Sequence, residues 1–105
     1  MLVPEEFDAI VPSDLADLLP VFLANRQREL EELRAALERE DFEALRHLGH
    51  RMKGLGEPYG FPRISALGSR IEQSAREARS TSLASLVEQY ADYLSNVQIT
   101  YGPPS

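Results

Sequence analysis

The chain has two histidines, His47 and His50, and a neutral imidazole is nucleophilic at physiological pH. Both fall where Phe42, Leu45, Leu48, Met52 and Leu55 follow the 3-and-4 spacing of an amphipathic helix. At about 100° per residue the apolar set clusters on one side and His50 projects roughly opposite its centre, into water. Arg46, Lys53, Gly54 and Glu57 are its neighbours at i−4, i+3, i+4 and i+7. Glycine in an exposed helix costs about 1 kcal/mol relative to alanine, so Gly54 needs a reason, and its missing side chain leaves space beside the imidazole. An exposed imidazole of this kind can attack an acyl or aspartyl phosphate held by a visiting protein, with Lys53 pairing with the phosphoryl oxygens as a mobile point charge. Gly49 and Gly56 lie nearer the apolar side, where they permit close packing against another helix. His47 also points outward but lacks the Lys-Gly context and reads as a rim residue. Glu43, His47 and His50 raise a metal site as an alternative, yet a structural transition-metal site takes about four ligands and no other helix nominates the rest.

The elements that must position His50 are helices. Ser13 and Asp14 offer N-cap chemistry for a short N-terminal helix carrying Leu15, Leu18 and Leu19. Pro20 either kinks that helix or starts a second, which runs to about Glu38 with Leu23, Leu30, Leu33 and Leu37 on one stripe. Asp41 is the expected N-cap of the histidine-bearing helix, which should end near Glu57 because Pro58 and Gly60 follow. Pro62 suits the first turn of the next, with Ile64, Leu67, Ile71, Ala75 and Ala78 inward. Ser80-Thr81-Ser82 interrupts it, and Leu83, Leu86, Val87, Tyr90, Leu94 and Val97 mark a last helix. Tyr90 and Tyr93 read as core and rim aromatics, and the charge run from Arg26 to Glu40 as the solvated side of a long helix. No segment alternates long enough to predict a strand. The expected fold class is all-α: an antiparallel up-and-down four-helix bundle with a short extra N-terminal helix, one domain over 1–105 with a core of about 13–98 and a frayed tail at 101–105.

Composition narrows the function classes. A hydrophobic content of 43% in 105 residues is enough for a single core. Eleven basic against 17 acidic residues give a net charge of −6, which opposes nucleic acid and anionic membranes as partners. There is no cysteine, so disulfide and thiolate chemistry are excluded. The start, Met1 to Phe7, has no basic leader with an apolar run, and no stretch approaches the ~18 apolar residues of a membrane helix, so a cytoplasmic protein is expected. Around the histidines, Arg46, Arg51, Lys53 and Arg63 slightly outnumber Asp41, Glu43 and Glu57, which suits docking to an acidic pocket.

The run His50-Arg51-Met52-Lys53-Gly54-Leu55-Gly56, followed by Tyr59-Gly60-Phe61 and by Ile64, Leu67, Gly68, Ile71 and Glu72, resembles the signature of histidine-containing phosphotransfer (HPt) domains. The resemblance is close from about Asp41 to Arg76. It implies a phosphorelay intermediate of two-component signal transduction: His50 as the phosphorylated histidine, Lys53 as its phosphate-side cation and Gly54 as the residue that clears access. It implies as partners a response-regulator receiver domain and/or a hybrid histidine kinase, with Mg²⁺ held by the receiver and no cofactor of the chain's own. The chain is then a monomeric phosphocarrier and not an enzyme, in keeping with the lack of a Gly-rich phosphate loop or kinase motif. Glu57 and Pro58 depart from the small or polar residues common after the Lys-Gly pair, and a receiver-binding adaptor that does not transfer is the alternative.

Overall fold

The computed structural model of the chain describes residues 7–105; residues 1–6, and with them most of the stretch read for a leader, lie outside it. Four helices carry the fold. Helix α1, Leu19–Glu38, opens with Pro20 in its first turn, where a missing N–H costs nothing. Helix α2, Phe42–Leu55, is capped by Asp41, whose Oδ1 accepts from the Ala44 N–H at 3.0 Å. Helix α3, Pro62–Arg76, again starts on proline, and helix α4 spans Ser80–Asn96. The described chain is thus mostly helical, and each helix packs on its sequence neighbours, with α1 and α4 closing the ring. Gly49 lies against Glu72 and Gly56 against Ser65, so α2 and α3 run past each other in opposite residue order. Among the described residues no helix is long and apolar enough to cross a membrane.

Three local expectations are corrected. Ala78 is not on the inward face of α3: it is exposed with φ 51°, and the bonds from Ala78 N to Ala75 O (3.1 Å) and from Arg79 N to Ser74 O (3.0 Å) close the helix before it. Ser80, Thr81 and Ser82 do not interrupt a helix but form the first turn of α4. Helix α2 ends at Leu55, two residues short of Glu57, which starts a single 3₁₀ turn, Glu57–Tyr59, closed by Gly60 in the left-handed region (φ 91°).

The ends of the chain also differ from the all-helical expectation. Strand β1, Asp8–Pro12, pairs in parallel with β2, Gln98–Gly102, with Ala9 opposite Ile99 and Val11 opposite Tyr101. A parallel pair needs a long crossover, and the whole helical ring supplies it. Ala9 and Val11 are buried while Ile10 is exposed, an alternation of five residues, too brief to stand out in the sequence. The expected short N-terminal α-helix is a 3₁₀ helix, Ser13–Leu18, without a side-chain cap. Asp14 instead turns its carboxylate to the tail, accepting from Ser105 N at 2.9 Å and Ser105 Oγ at 2.8 Å, so residues 101–105 are tied down and not frayed.

The core is built from Leu33, Leu45, Met52, Ile64, Leu67, Ile71, Leu83, Tyr90 and Tyr93, with Phe22 stacked on Phe61 at 5.2 Å. Tyr93 is fully buried, so it is core and not rim. The charge run of α1 is not all solvated either, because Arg26 and Glu29 are buried within it.

Candidate functional site

The close seam between α2 and α3 decides what surrounds His50. A Cβ on Gly49 would lie 2.6 Å from the Glu72 backbone nitrogen, and one on Gly68 would lie 2.5 Å from that of Lys53. Such contact brings the His50 side of α2 over the middle of α3. There His50 Nδ1 lies 2.9 Å from Glu72 Oε2, although the two residues are 22 apart in sequence. The His50 side chain is 69% exposed and that of Glu72 is 5% exposed, so the imidazole stands in water on a buried carboxylate.

Glu72 also gathers two cations. Arg76 Nη2 donates to its Oε2 at 3.2 Å, and Lys53 Nζ lies 3.8 Å from its Oε1. Burial pushes the Glu72 carboxyl up, but the hydrogen bond from His50 and the charges of Arg76 and Lys53 outweigh it and hold the group below the usual carboxylate range. Glu72 is therefore ionised at neutral pH and can only accept, so Nδ1 of His50 is the donor. In the neutral imidazole this contact selects one tautomer, with the proton on Nδ1 and the lone pair on Nε2.

A lowered carboxylate pKa stabilises the fold above the ordinary glutamate value of about 4.3, and the contribution is lost as pH falls through the folded value. The stability advantage of the chain over its Glu72→Gln variant should accordingly be full near neutral pH and shrink in increasingly acidic buffer. Urea unfolding of both proteins at a series of pH values measures it, and a gap that widens on acidification would contradict the assignment.

Lys53 is half exposed and stands one turn beyond His50. Gly54 is exposed, and a Cβ built on it would meet nothing within 4 Å. Gly49 and Gly56 are at the helix seam. Arg46, an expected neighbour of the imidazole, turns instead to Glu43 at 2.6 Å. Glu57 is exposed beyond the end of α2, with its backbone N–H donating to Ser65 Oγ at 2.8 Å. The carboxylate in contact with His50 is thus Glu72 and not Glu57. Along the sequence Glu72 stands in the signature run with no role of its own, and nothing singles out Arg76. The one local signal was that Glu72 and Arg76 are an i, i+4 pair.

His47 pairs with Glu43 at 3.2 Å while His50 pairs with Glu72. Among the described residues no three His, Cys, Asp or Glu side chains come together as metal ligands. His50 also lies outside the clefts between α1 and α2, between α3 and α4, and beside Leu18, Val21 and Tyr59.

A model of the Hpt domain family matches residues 17–100 of the chain. No curated protein matches it, and no solved structure does.

Proposed function

The chain belongs to the Hpt domain family, whose members take part in phosphorelay histidine phosphotransfer, and from that premise we propose that it accepts a phosphoryl group on His50 from the phospho-aspartate of a receiver domain and returns it to another. The observation that carries this reading is the exposed imidazole held through Nδ1 by a buried carboxylate at 2.9 Å. In the proposed step the Nε2 lone pair attacks phosphorus. The P–O bond to the receiver's aspartate breaks, the carboxylate leaves with the electron pair, and an N–P bond forms on His50. The Nδ1 proton remains on Glu72's side of the ring, where the anion balances the charge that the ring acquires. Lys53 and Arg76, both drawn to Glu72, are the cations nearest to hand for the phosphoryl oxygens. The partner supplies the aspartate and Mg²⁺; the chain supplies an oriented nucleophile and acts as a carrier.

Incubation with a ³²P-phosphorylated receiver domain and Mg²⁺ tests the proposal. Label should move to the chain and back to fresh receiver. A chain that binds the phosphorylated receiver without taking label would be an adaptor, the reading favoured by the departure at Glu57 and Pro58.

Gly54 is proposed to keep the approach open. Gly54→Leu should leave the chain as stable, or more stable by up to about 1 kcal/mol, because leucine is the better helix former and the site is empty. It should weaken receiver docking by roughly tenfold, about 1.4 kcal/mol of steric misfit. Thermal melting and receiver titration measure the two effects. Unchanged docking would remove Gly54 from the site.

A further inference from the structure

We infer that Glu29 is a positioning residue for phosphoryl transfer at His50, acting through Arg51; the inference rests on the reading of His50 as the acceptor. Glu29 sits in the middle of α1 with its side chain 0% exposed, the least expected place for a carboxyl group in a bundle of this size. It joins three helices. Its Oε1 accepts from Tyr90 Oη of α4 at 2.8 Å, and its Oε2 accepts from Arg51 Nε of α2 at 3.2 Å. Burial first, and the adjacent Glu29 second, push the Tyr90 hydroxyl up, so it remains a donor. Arg26 Nε lies 3.1 Å from Oε1 without the alignment of a hydrogen bond, and its guanidinium carbon is 4.7 Å from the centre of the Phe22 ring.

Arg51 follows His50 directly in α2. On the α3 side α2 is seated by glycine seams and by the Glu72 cluster. On the α1 side an open surface cleft of about 370 Å³ runs along the two helices, bordered by Ala35, Leu48, Glu32, Arg39, His47 and Arg51. Arg51 crosses that side to Glu29, with Nη2 also 3.9 Å from Glu32 Oε1. The ion pair therefore ties α2 to α1 beside that cleft, a polar anchor added to the apolar core that Leu45 and Leu48 enter. A small rotation of α2 swings His50 across Glu72, and the 2.9 Å bond that sets its tautomer is sensitive to it.

Because removing Glu29 strands the buried Arg26, the half-exposed Arg51 carries the test. Three proteins are compared: the unsubstituted chain, Arg51→Gln, and Arg51→Lys, which can still reach Glu29. Two phosphoryl donors are used. Phosphoramidate needs no docking surface: its P–N bond breaks, N–P forms on His50, and ammonia leaves. The second donor is a phosphorylated receiver with Mg²⁺. Arg51→Gln should slow phosphorylation by phosphoramidate roughly tenfold. With the receiver it should lower the plateau rate and leave the half-saturating concentration unchanged. ¹⁵N NMR should show the Nδ1-protonated tautomer of His50 giving way to a mixture, and Arg51→Lys should restore most of each effect.

An unchanged phosphoramidate rate in Arg51→Gln, or a change confined to the half-saturating concentration, overturns the inference and makes Arg51 an inert or partner-contacting residue. If the unsubstituted chain takes no phosphoryl group on His50 from either donor, the acceptor reading itself falls, and this inference with it.

Discussion

His50→Gln should abolish phosphoryl acceptance while leaving the helical content unchanged and the stability within about 1 kcal/mol. Glutamine has no ring nitrogen lone pair, so no N–P bond can form at position 50. Its amide can still donate to Glu72, which keeps Arg76 at 3.2 Å and Lys53 at 3.8 Å as partners, so the buried carboxylate is not stranded. With the His50 side chain 69% exposed, little apolar area is lost. His47→Gln should transfer normally, because that ring leans on Glu43 at 3.2 Å and has no buried carboxylate beneath it. Residual acceptance by the His50 variant, or loss of acceptance by the His47 variant, would reverse the assignment. Circular dichroism alongside the transfer assay separates chemistry from unfolding.

The largest effect on stability is expected from Gly68→Val. A Cβ at this position would lie 2.5 Å from the Lys53 nitrogen, 2.6 Å from Met52 Cβ and 2.7 Å from the Gly49 oxygen. Two of those three atoms are backbone, so no side-chain rotation relieves the clash, and the two extra methyl groups of valine must then force α2 off α3. Overpacking of this kind costs about 3 kcal/mol, a large share of the 5–15 kcal/mol that holds an ordinary domain together. The melting temperature should fall by roughly 10–20 °C. The fraction that stays folded should also transfer poorly, because separating the seam draws His50 away from Glu72. A melting temperature within about 3 °C of the parent would show that the seam is looser than its glycines indicate.

What could be read in the sequence was chemistry acting over a few residues. Asp41 caps α2, Pro20 and Pro62 open their helices, and the apolar series of α2 leaves His50 outward; each follows from spacing along one segment. The mostly helical architecture follows from the same periodicities. Pairings between segments were not legible. Glu72 reaches His50 from 22 residues away, and the register of α2 on α3 that brings them together is set by Gly49 and Gly68, whose effect exists only once both helices are placed. Arg26 and Glu29 look solvated because charges on a long helix ordinarily are, and the partners of the buried Glu29, Tyr90 and Arg51, arrive from two other helices. The β1–β2 pair joins the two ends of the described chain through five residues each, and Asp14, which resembles a helix cap, is claimed by Ser105 at the far end. Helix α3 ends at Arg76 because Ala78 turns left-handed, and α2 gives way after Leu55 to the 3₁₀ turn that Gly60 closes.

The central claim is that the chain carries its phosphoryl group on Nε2 of His50 while Nδ1 stays bonded to Glu72. ³¹P and ¹⁵N NMR of the ¹⁵N-labelled chain, phosphorylated by a receiver domain and kept at alkaline pH where phosphohistidine survives, tests it directly. The expected spectrum shows one phosphorus–nitrogen coupling, to Nε2 of His50, with Nδ1 still protonated; a coupling to Nδ1, a phosphoryl group on His47, or none on either histidine would contradict it.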